Sequence, residues 1–254
     1  ASAHAHYFDI DWHPVNDELQ GKVLVPVLGD YYGNVLARGE LSLGFEPETG
    51  AFAVRYYAHR FPIDPREYPS ILRRAEAVLA ADVDGTARLE FSSLASACGH
   101  LPPRDSDDPA ARGERARDKE LHKQRLAQLA RTYPGLSVAI DAALAEINGT
   151  ERQPLHALLE AQAYRLAFWR VASDEINYRR FFDINDLAAL RMEDEEVFNA
   201  THAFVLSLAA EGRIDGLRID HPDGLFDPAR YFRRLQQGYA RLAGIDAGLP
   251  EGGR

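Results

Sequence analysis

The segment DGLRIDHPDGL, residues 215–225, combines an arginine and an aspartate at a spacing that suits chemistry. Its apolar pattern predicts a short strand over RIDGLRID, and strand alternation puts Arg218 and Asp220 on one face, with Leu217 and Ile219 on the other. The arginine can keep the aspartate ionised through its charge and hydrogen bonds. A retaining glycosidase uses such a carboxylate as its nucleophile, with a protonated carboxylic acid about 5 Å away. A structural ion pair is the alternative interpretation, because ion pairs also occur at strand ends.

A second block, EINYRRFFDINDLAALR, spans residues 175–191. Its aromatic side chains offer flat apolar faces that can stack on sugar rings, and they are Tyr178, Phe181 and Phe182. Its polar side chains can form hydrogen bonds with hydroxyl groups, and they are Arg179, Arg180, Asp183 and Asn185. An aromatic core patch with surface arginines is the alternative interpretation of the same residues.

Other features point to chemistry less specifically. His4 and His6 could share a strand face as metal ligands, but no cysteine or acidic pair at zinc spacing accompanies them, so no metal site is predicted. Cys98 and His100 suggest a thiol nucleophile with its base, although close neighbours in sequence rarely form such a pair. The glycines form neither a phosphate-binding loop nor a dinucleotide fingerprint.

The elements around residues 215–225 indicate an α/β arrangement. A helix through EEVFNATHAFVLSLAAEG is expected to stop at Gly212, and Asp227 with Pro228 should begin another through DPARYFRRLQQGYARLAG. Helix, strand and helix in succession build a parallel sheet or barrel. In a (β/α) barrel, catalytic residues lie at the carboxyl ends of strands, which is where Asp220 falls.

The preceding part of the chain changes from strand to helix patterns. Residues 22–61 are β-like, and the turn PETG predicts a hairpin with Phe45 and Phe52 near its end. Helical spacing begins after Pro65. Residues 102–120 are rich in charge and proline and predict a mobile, solvated loop leading into a helix through LHKQRLAQLA. Further helices are expected through LSVAIDAALAEIN and PLHALLEAQAYRLAFWRVA, residues 136–148 and 154–172.

Composition limits the partners and the compartment. The 39 acidic and 29 basic residues give a formal net charge of −10, which repels phosphate backbones and argues against nucleic acid. No apolar run approaches the roughly 20 residues that span a bilayer, and the opening residues lack a secretion-signal pattern. The single cysteine suits a reducing compartment, so we expect a cytoplasmic protein. The opening without methionine is typical of an internal piece, with a processed terminus as the alternative.

Gly216, Arg218 and Asp220 match the Gly-x-Arg-x-Asp pattern that ends the fourth barrel strand in glycoside hydrolase family 13, the α-amylase superfamily. Amylases usually continue with Ala-x-Lys-His, whereas His-Pro-Asp-Gly follows here, so RIDHPDGL is similar to the maltooligosyl trehalose synthase branch. The block at 175–191 resembles the same branch, as do GKVLVPVLGDYYG, ELSL and RYYAHRFPI. The resemblance extends roughly over residues 7–235, interrupted by the charged stretch.

The resemblance implies roles for particular residues. Asp220 would be the nucleophile and Arg218 its orienting partner. The side chains that it implies for substrate binding are His221, Asp223, Tyr178, Arg179, Arg180 and Phe182. No cofactor or metal is implied, and the partner would be a maltooligosaccharide or another α-1,4-glucan.

The resemblance also implies an architecture. Residues 173–254 would supply the third helix, fourth strand and fourth helix of a (β/α)8 TIM barrel. Residues 1–172 would be a large, mixed and mainly helical inserted subdomain with a β-hairpin. The first three strands would precede Ala1, and the general-acid glutamate and third carboxylate would follow Arg254. The acidic residues after Asp220 do not match those two carboxylates, and they are Asp223, Asp227, Asp246 and Glu251.

The implied reaction is an intramolecular transglucosylation, which makes the whole enzyme an isomerase of trehalose biosynthesis. Asp220 would attack the reducing-end α-1,4 linkage, and the released glucose would capture the glycosyl-enzyme through an α,α-1,1 linkage. Water must be kept out, and the large insertion is a candidate lid. The alternatives are another retaining α-glucan hydrolase or transferase, and a glucan-binding fragment without turnover.

Overall fold

The computed structural model describes residues 4–245, which form two compact units. Unit 1 contains residues 4–5 and 11–177, and unit 2 contains residues 6–10 and 178–245. The division falls a few residues after the expected boundary between 172 and 173. Residues 6–10 join unit 2 through antiparallel backbone bridges from Phe8 to Leu190 and from Ile10 to Tyr178.

Unit 1 mixes strands and helices. Its strands are β1 (Val23–Leu28), β2 (Ser42–Glu46), β3 (Ala51–Tyr56), β4 (His59–Pro62) and β5 (Tyr164–Phe168). Its α-helices are α1 (Tyr32–Ala37), α2 (Tyr68–Ala77), α3 (Gly85–Gly99), α4 (Pro109–Thr132), α5 (Pro134–Ile147), α6 (Gln153–Glu160) and α7 (Ala172–Glu175). The core packs α2, α3 and α5 against the sheet of β2, β3 and β4, and its largest fully buried side chains include Phe52, Tyr68 and Phe91. The mixed, mainly helical character expected for this region is confirmed.

The predicted hairpin is present as β2 and β3, with Phe45 opposite Phe52 in the antiparallel register. Gly50 lies in its turn at a φ of +66°, and a Cβ there would lie 1.8 Å from the Lys123 carbonyl oxygen. The turn therefore requires glycine. β4 adds a third strand by pairing with β3, and Phe61 of β4 lies opposite Val54 of β3.

The helix predicted over residues 154–172 is wrong in its second half. α6 ends at Glu160, and Tyr164–Phe168 instead forms β5, which lies parallel to β1. The buried Gln162 side chain fixes the change of direction, because Nε2 donates to the Leu158 carbonyl at 2.6 Å and Oε1 accepts from the Asp64 N–H at 2.8 Å. The aromatic YRLAF segment also suits a strand, and pairing with β1 overrides its helical spacing.

The solvated loop predicted over residues 102–120 is also wrong in part, since α4 begins at Pro109. The Asp108 carboxylate accepts from the Ala110 and Ala111 N–H groups, and proline occupies the first helical turn. Arg115 anchors the helix, because its buried guanidinium binds the buried Asp64 carboxylate at 2.7 and 2.5 Å. A contact so distant in sequence leaves no trace in the local charge pattern.

Unit 2 contains the two helices that the sequence predicts, α8 (Glu195–Ala210) and α9 (Pro228–Ala243). The Asp194 and Asp227 carboxylates accept backbone N–H groups at their first turns. The strand predicted over residues 213–220 is wrong, because this segment has no strand partner among residues 4–245. A parallel strand needs neighbours to receive its backbone hydrogen bonds, so the segment is irregular among the described residues, and the barrel segment expected over residues 173–254 stays a prediction.

Candidate functional site

Arg218 and Asp220 form the ion pair that the sequence predicts. Arg218 Nη2 donates to Asp220 Oδ2 at 3.0 Å. The side chains are 87% and 60% exposed, so solvent screens their attraction. Among the residues that the structure describes, none donates a hydrogen bond to Asp220 Oδ1. The guanidinium thus holds one carboxylate oxygen and leaves the other open for attack on an electrophile.

A small apolar core in unit 2 anchors the segment that carries this pair. The core consists of Phe198 and Leu206 from α8 with Tyr231 and Leu235 from α9, and Ile219 packs against it. Leu225 packs on the same cluster. Ile219 thus packs inward while Arg218 and Asp220 remain exposed, but Leu217, which was expected on the same face as Ile219, is 40% exposed.

His221, the residue after the ion pair, lies against two aromatic side chains of the block at 175–191. Its ring centroid is 5.6 Å from that of Phe181 and 4.9 Å from that of Phe182, both edge to face. His221 and Phe182 both have left-handed backbones, with φ values of 54° and 53°. Such a conformation costs a non-glycine residue about 1–2 kcal/mol, and strain of this kind concentrates at functional sites. The structure thus joins two segments that the sequence singled out separately.

Arg179 was predicted to bind substrate, but its guanidinium is occupied within unit 2. Nε donates to Asp9 Oδ2 at 2.7 Å, Nη1 to the Gly224 carbonyl at 2.6 Å, and Nη2 to the Leu190 carbonyl at 3.1 Å. The side chain therefore ties residues 6–10 and the turn after His221 to the block at 175–191. Asp9 was not among the residues predicted from the sequence, although the spacing of Asp9 and Asp11 around Ile10 is the alternation of an extended segment.

Tyr178 and Arg180 are held within their own block. Tyr178 Oη donates to the Asn185 carbonyl at 2.8 Å, and burial raises the pKa of its phenol. Arg180 binds the Asn185 side chain through Nη1 and Asp183 Oδ1 through Nη2, the latter at 3.0 Å. Asp183 is almost fully exposed, so the second contact can exchange for a ligand hydroxyl more readily than the first.

Two acidic residues lie near the end of the segment at 215–225 and differ in surroundings. Asp223 lies in the 3-10 turn Pro222–Gly224, where its side chain is exposed. Glu193, which was not predicted from the sequence, lines a shallow cleft with Leu225 and Phe226. Its buried Oε2 has no hydrogen-bond donor in the described part of the chain and lies 3.9 Å from Arg179 Nη2. Glu193 is thus an acidic group that becomes a candidate because it lines this cleft.

The weaker candidates gain no support. His6 Nε2 lies 3.3 Å from Glu196 Oε1, and residues 4–245 contain no group of three His, Cys, Asp or Glu side chains able to hold a metal ion. Burial raises the pKa of the Cys98 thiol to about 12, so it is protonated at neutral pH. His100 Nδ1 lies 2.8 Å from the Ser96 carbonyl oxygen. The Cys98 nucleophile hypothesis is therefore wrong.

Part of the chain is similar to proteins with assigned functions. It is 48% identical over 81 residues to proteins of two Mycobacterium tuberculosis strains whose assigned name is maltooligosyl trehalose synthase. Those 81 residues are 32% of this chain and 10% of each relative, so the match spans about a tenth of the relatives' length. No protein-family model matches the chain.

Solved structures of similarly named proteins also match. The maltooligosyltrehalose synthase from Arthrobacter ramosus is 29% identical, with a TM-score of 0.47, and the match covers 96% of this chain and 19% of that one. The Sulfolobus tokodaii hypothetical maltooligosyl trehalose synthase is 22% identical, with a TM-score of 0.44, and the match covers 93% and 19% of the two chains. Among residues 4–245, no helix has the length and apolarity needed to cross a membrane.

Proposed function

We propose that this chain is a segment of a maltooligosyl trehalose synthase and that Asp220 is the nucleophile of the whole enzyme. The observation that carries the proposal is the 48% identity over 81 residues to the Mycobacterium tuberculosis relatives. Because the match spans a tenth of those relatives, the activity proposed is that of a longer protein. Its substrate would be a maltooligosaccharide, and its reaction an isomerisation in trehalose biosynthesis.

The ion pair supports the role of Asp220. A nucleophilic carboxylate must be ionised and must point one oxygen at the anomeric carbon. Arg218 donates to Oδ2 alone, so Oδ1 has no hydrogen-bond donor among the described residues and can face the anomeric carbon. Its planar guanidinium can fix the carboxylate more closely than a lysine ammonium would.

The aromatic side chains near Asp220 support a sugar-binding role. Phe182 and His221 are exposed, their rings are in contact, and His221 directly follows the proposed nucleophile in the chain. We assign Phe182 to stacking on a glucose ring, and we assign His221, Asp223 and Arg180 to hydrogen bonds with hydroxyl groups. The Arg179 hydrogen bonds favour a positioning role for that residue instead, and Tyr178 supports the same block from within.

The proposed architecture follows glycoside hydrolase family 13. Residues 173–254 would contribute the third helix, fourth strand and fourth helix of a TIM barrel, and residues 1–172 would be the inserted subdomain. Residues 213–220 would become a strand when neighbouring barrel strands supply hydrogen-bond partners. The general acid would come from outside this chain, and Asp246 and Glu251 lie outside the described residues. We place the enzyme in the cytoplasm because the single cysteine of this chain suits a reducing compartment.

The proposed reaction uses Asp220 twice. Its open carboxylate oxygen attacks the anomeric carbon while the external acid protonates the departing glucose oxygen, which gives a covalent glycosyl-enzyme. The released glucose then turns, its anomeric hydroxyl gives its proton to the conjugate base of that external acid, and its oxygen displaces Asp220 to form the α,α-1,1 linkage. No metal or cofactor takes part in this scheme. Exclusion of water separates the isomerisation from hydrolysis, so residues that cover the site affect the product ratio more than the rate of attack.

The test is Asp220→Asn in the full-length enzyme, with maltopentaose as substrate. The amide is nearly isosteric but a poor nucleophile, so trehalose-capped product and glucose should both fall by several powers of ten, roughly the loss seen when a covalent nucleophile is removed. Asp215→Asn, which changes another exposed aspartate of the same segment, is the matched control and should retain activity. Activity of Asp220→Asn above about a tenth of wild type would remove Asp220 from the mechanism, since a lost nucleophile costs far more.

A further inference from the structure

Unit 1 carries an aromatic cluster at the carboxyl ends of its two parallel strands. Tyr31 follows β1, Phe168 ends β5, and Trp169 comes next in the chain. The Tyr31 and Phe168 ring centroids are 5.3 Å apart, and those of Phe168 and Trp169 are 6.0 Å apart. The Arg170 guanidinium carbon lies 5.2 Å from the Trp169 ring centroid and 5.7 Å from that of Phe168. We call these four side chains the aromatic platform.

The aromatic platform is exposed although its members are large. Tyr31 is 64% exposed and Trp169 is 53% exposed. Large aromatic side chains that cluster at the surface usually mark a binding site, whereas isolated ones need no explanation. In sheets of parallel strands, ligands bind beyond the carboxyl ends, and the aromatic platform occupies that position on β1 and β5.

The turn that presents Tyr31 is held by hydrogen bonds on both sides. The Gly29 N–H donates to Tyr56 Oη at 2.8 Å, and the Tyr31 N–H donates to Asp30 Oδ1 at 2.7 Å. Arg38 Nη1 in turn donates to Asp30 Oδ2 at 2.8 Å, and hydrogen bonding to Arg38 lowers the pKa of that carboxyl group. A ligand therefore meets an aromatic surface that needs little ordering on binding.

The composition of the aromatic platform selects a neutral ligand with an apolar face and a polar edge. Aromatic rings cover apolar C–H surface, and the guanidinium stacked beside them presents N–H donors around its rim. The net charge of −10 opposes a polyanion. A pyranose ring has such a face and an edge of hydroxyl groups.

We propose that Tyr31, Phe168, Trp169 and Arg170, all in unit 1, bind a glucose unit of an α-1,4-glucan. The choice of glucan rests on the proposed function, whereas the sugar-binding chemistry rests on the aromatic platform.

Tryptophan emission tests the proposal directly. Trp12 and Trp169 are the two tryptophans of the sequence, so Trp12→Phe leaves Trp169 as the sole emitter. Titration of this 254-residue variant with maltopentaose should give a saturable change in Trp169 emission, because the sugar removes water from the exposed indole. Adding Tyr31→Ala should weaken the apparent Kd by about tenfold, the loss expected for a main contact residue. Circular dichroism spectra of the two variants should coincide.

Matched variants separate this proposal from the proposed function. Phe204→Ala removes an exposed aromatic side chain on α8, in unit 2, and should leave the titration unchanged. Asp220→Asn should also leave it unchanged, so binding at the aromatic platform can be demonstrated even if the full-length enzyme makes no trehalose-capped product. The proposal is overturned if Trp169 emission does not respond to maltopentaose or if Tyr31→Ala binds equally well. A change that depends on protein concentration without sugar would also overturn it, by showing that a second copy of the chain occupies the aromatic platform.

Discussion

Replacing Arg115 by methionine should destabilise unit 1 strongly, because the change leaves a buried carboxylate without its cation. Arg115 and Asp64 are each 7% exposed, and Nη2 contacts both carboxylate oxygens at 2.7 and 2.5 Å. Breaking a buried pair by removing one partner costs about 3–5 kcal/mol. Nη1 also donates to the Pro102 carbonyl at 2.6 Å, and losing that bond costs about 1 kcal/mol more. Because Asp64 keeps the Arg66 N–H as a donor at 3.0 Å, we expect a total loss of about 4 kcal/mol.

Arg117→Met is the matched control, since it removes the same group from the same helix at an exposed position. Arg117 is 71% exposed and binds Asp118 at 2.7 Å, a surface pair whose loss costs about 0–1 kcal/mol. Urea denaturation of each variant, followed by helical circular dichroism, measures the difference in free energy of unfolding. The double variant Asp64→Asn with Arg115→Met should recover part of the loss, because no unpaired charge remains buried. Equal midpoints for Arg115→Met and Arg117→Met would refute the argument.

Three further predictions concern function and the buried thiol. In the full-length enzyme, Arg218→Lys should lower kcat with the fold intact, because an ammonium cannot orient the Asp220 carboxylate as a guanidinium does, and a kcat equal to wild type would remove that role. The 254-residue chain alone should form neither trehalose-capped product nor glucose from maltopentaose, because the general acid, whose assistance is worth about 10²–10⁴-fold, is missing. If the chain formed either product and its Asp220→Asn variant did not, this prediction would be contradicted. Cys98 should resist a thiol reagent at pH 8 and react in urea, because burial raises its pKa to about 12. Rapid labelling of the native protein would contradict this prediction. The same pKa shift means that the thiol ionises at a lower pH in the unfolded chain than in the folded one, so the free energy of unfolding should fall as the pH rises from about 9 towards 12.

The elements that the sequence predicted correctly are those set by short-range chemistry. α9 begins after an aspartate followed by proline, and the β2–β3 hairpin turns at a glycine that the turn requires. The wrong predictions concern segments whose structure depends on residues that are distant in sequence. β5 carries helical spacing but pairs with β1, and the first turns of α4 look like a solvated loop but are fixed by Asp64.

The same difference between local and distant contacts applies to the candidate site. Arg218 and Asp220 are two residues apart, so their ion pair follows from local geometry. The contact of His221 with Phe181 and Phe182 joins residues about forty positions apart, and no periodicity indicates it. The resemblance identified both segments by their residues, but the contact between their rings is visible only in the folded chain.

Arg179 shows why residue type alone cannot separate binding from positioning. An arginine beside aromatic residues is equally suited to holding a sugar hydroxyl or a backbone carbonyl, since both accept N–H bonds. In unit 2 its three donor nitrogens contact Asp9, Gly224 and Leu190, so a ligand would have to displace bonds that already exist. Replacing Arg179 would therefore disturb the turn after His221 rather than remove a direct contact with substrate. A positioning residue of this kind lowers the rate through the residues that it holds, and its effect should therefore be non-additive with changes to His221.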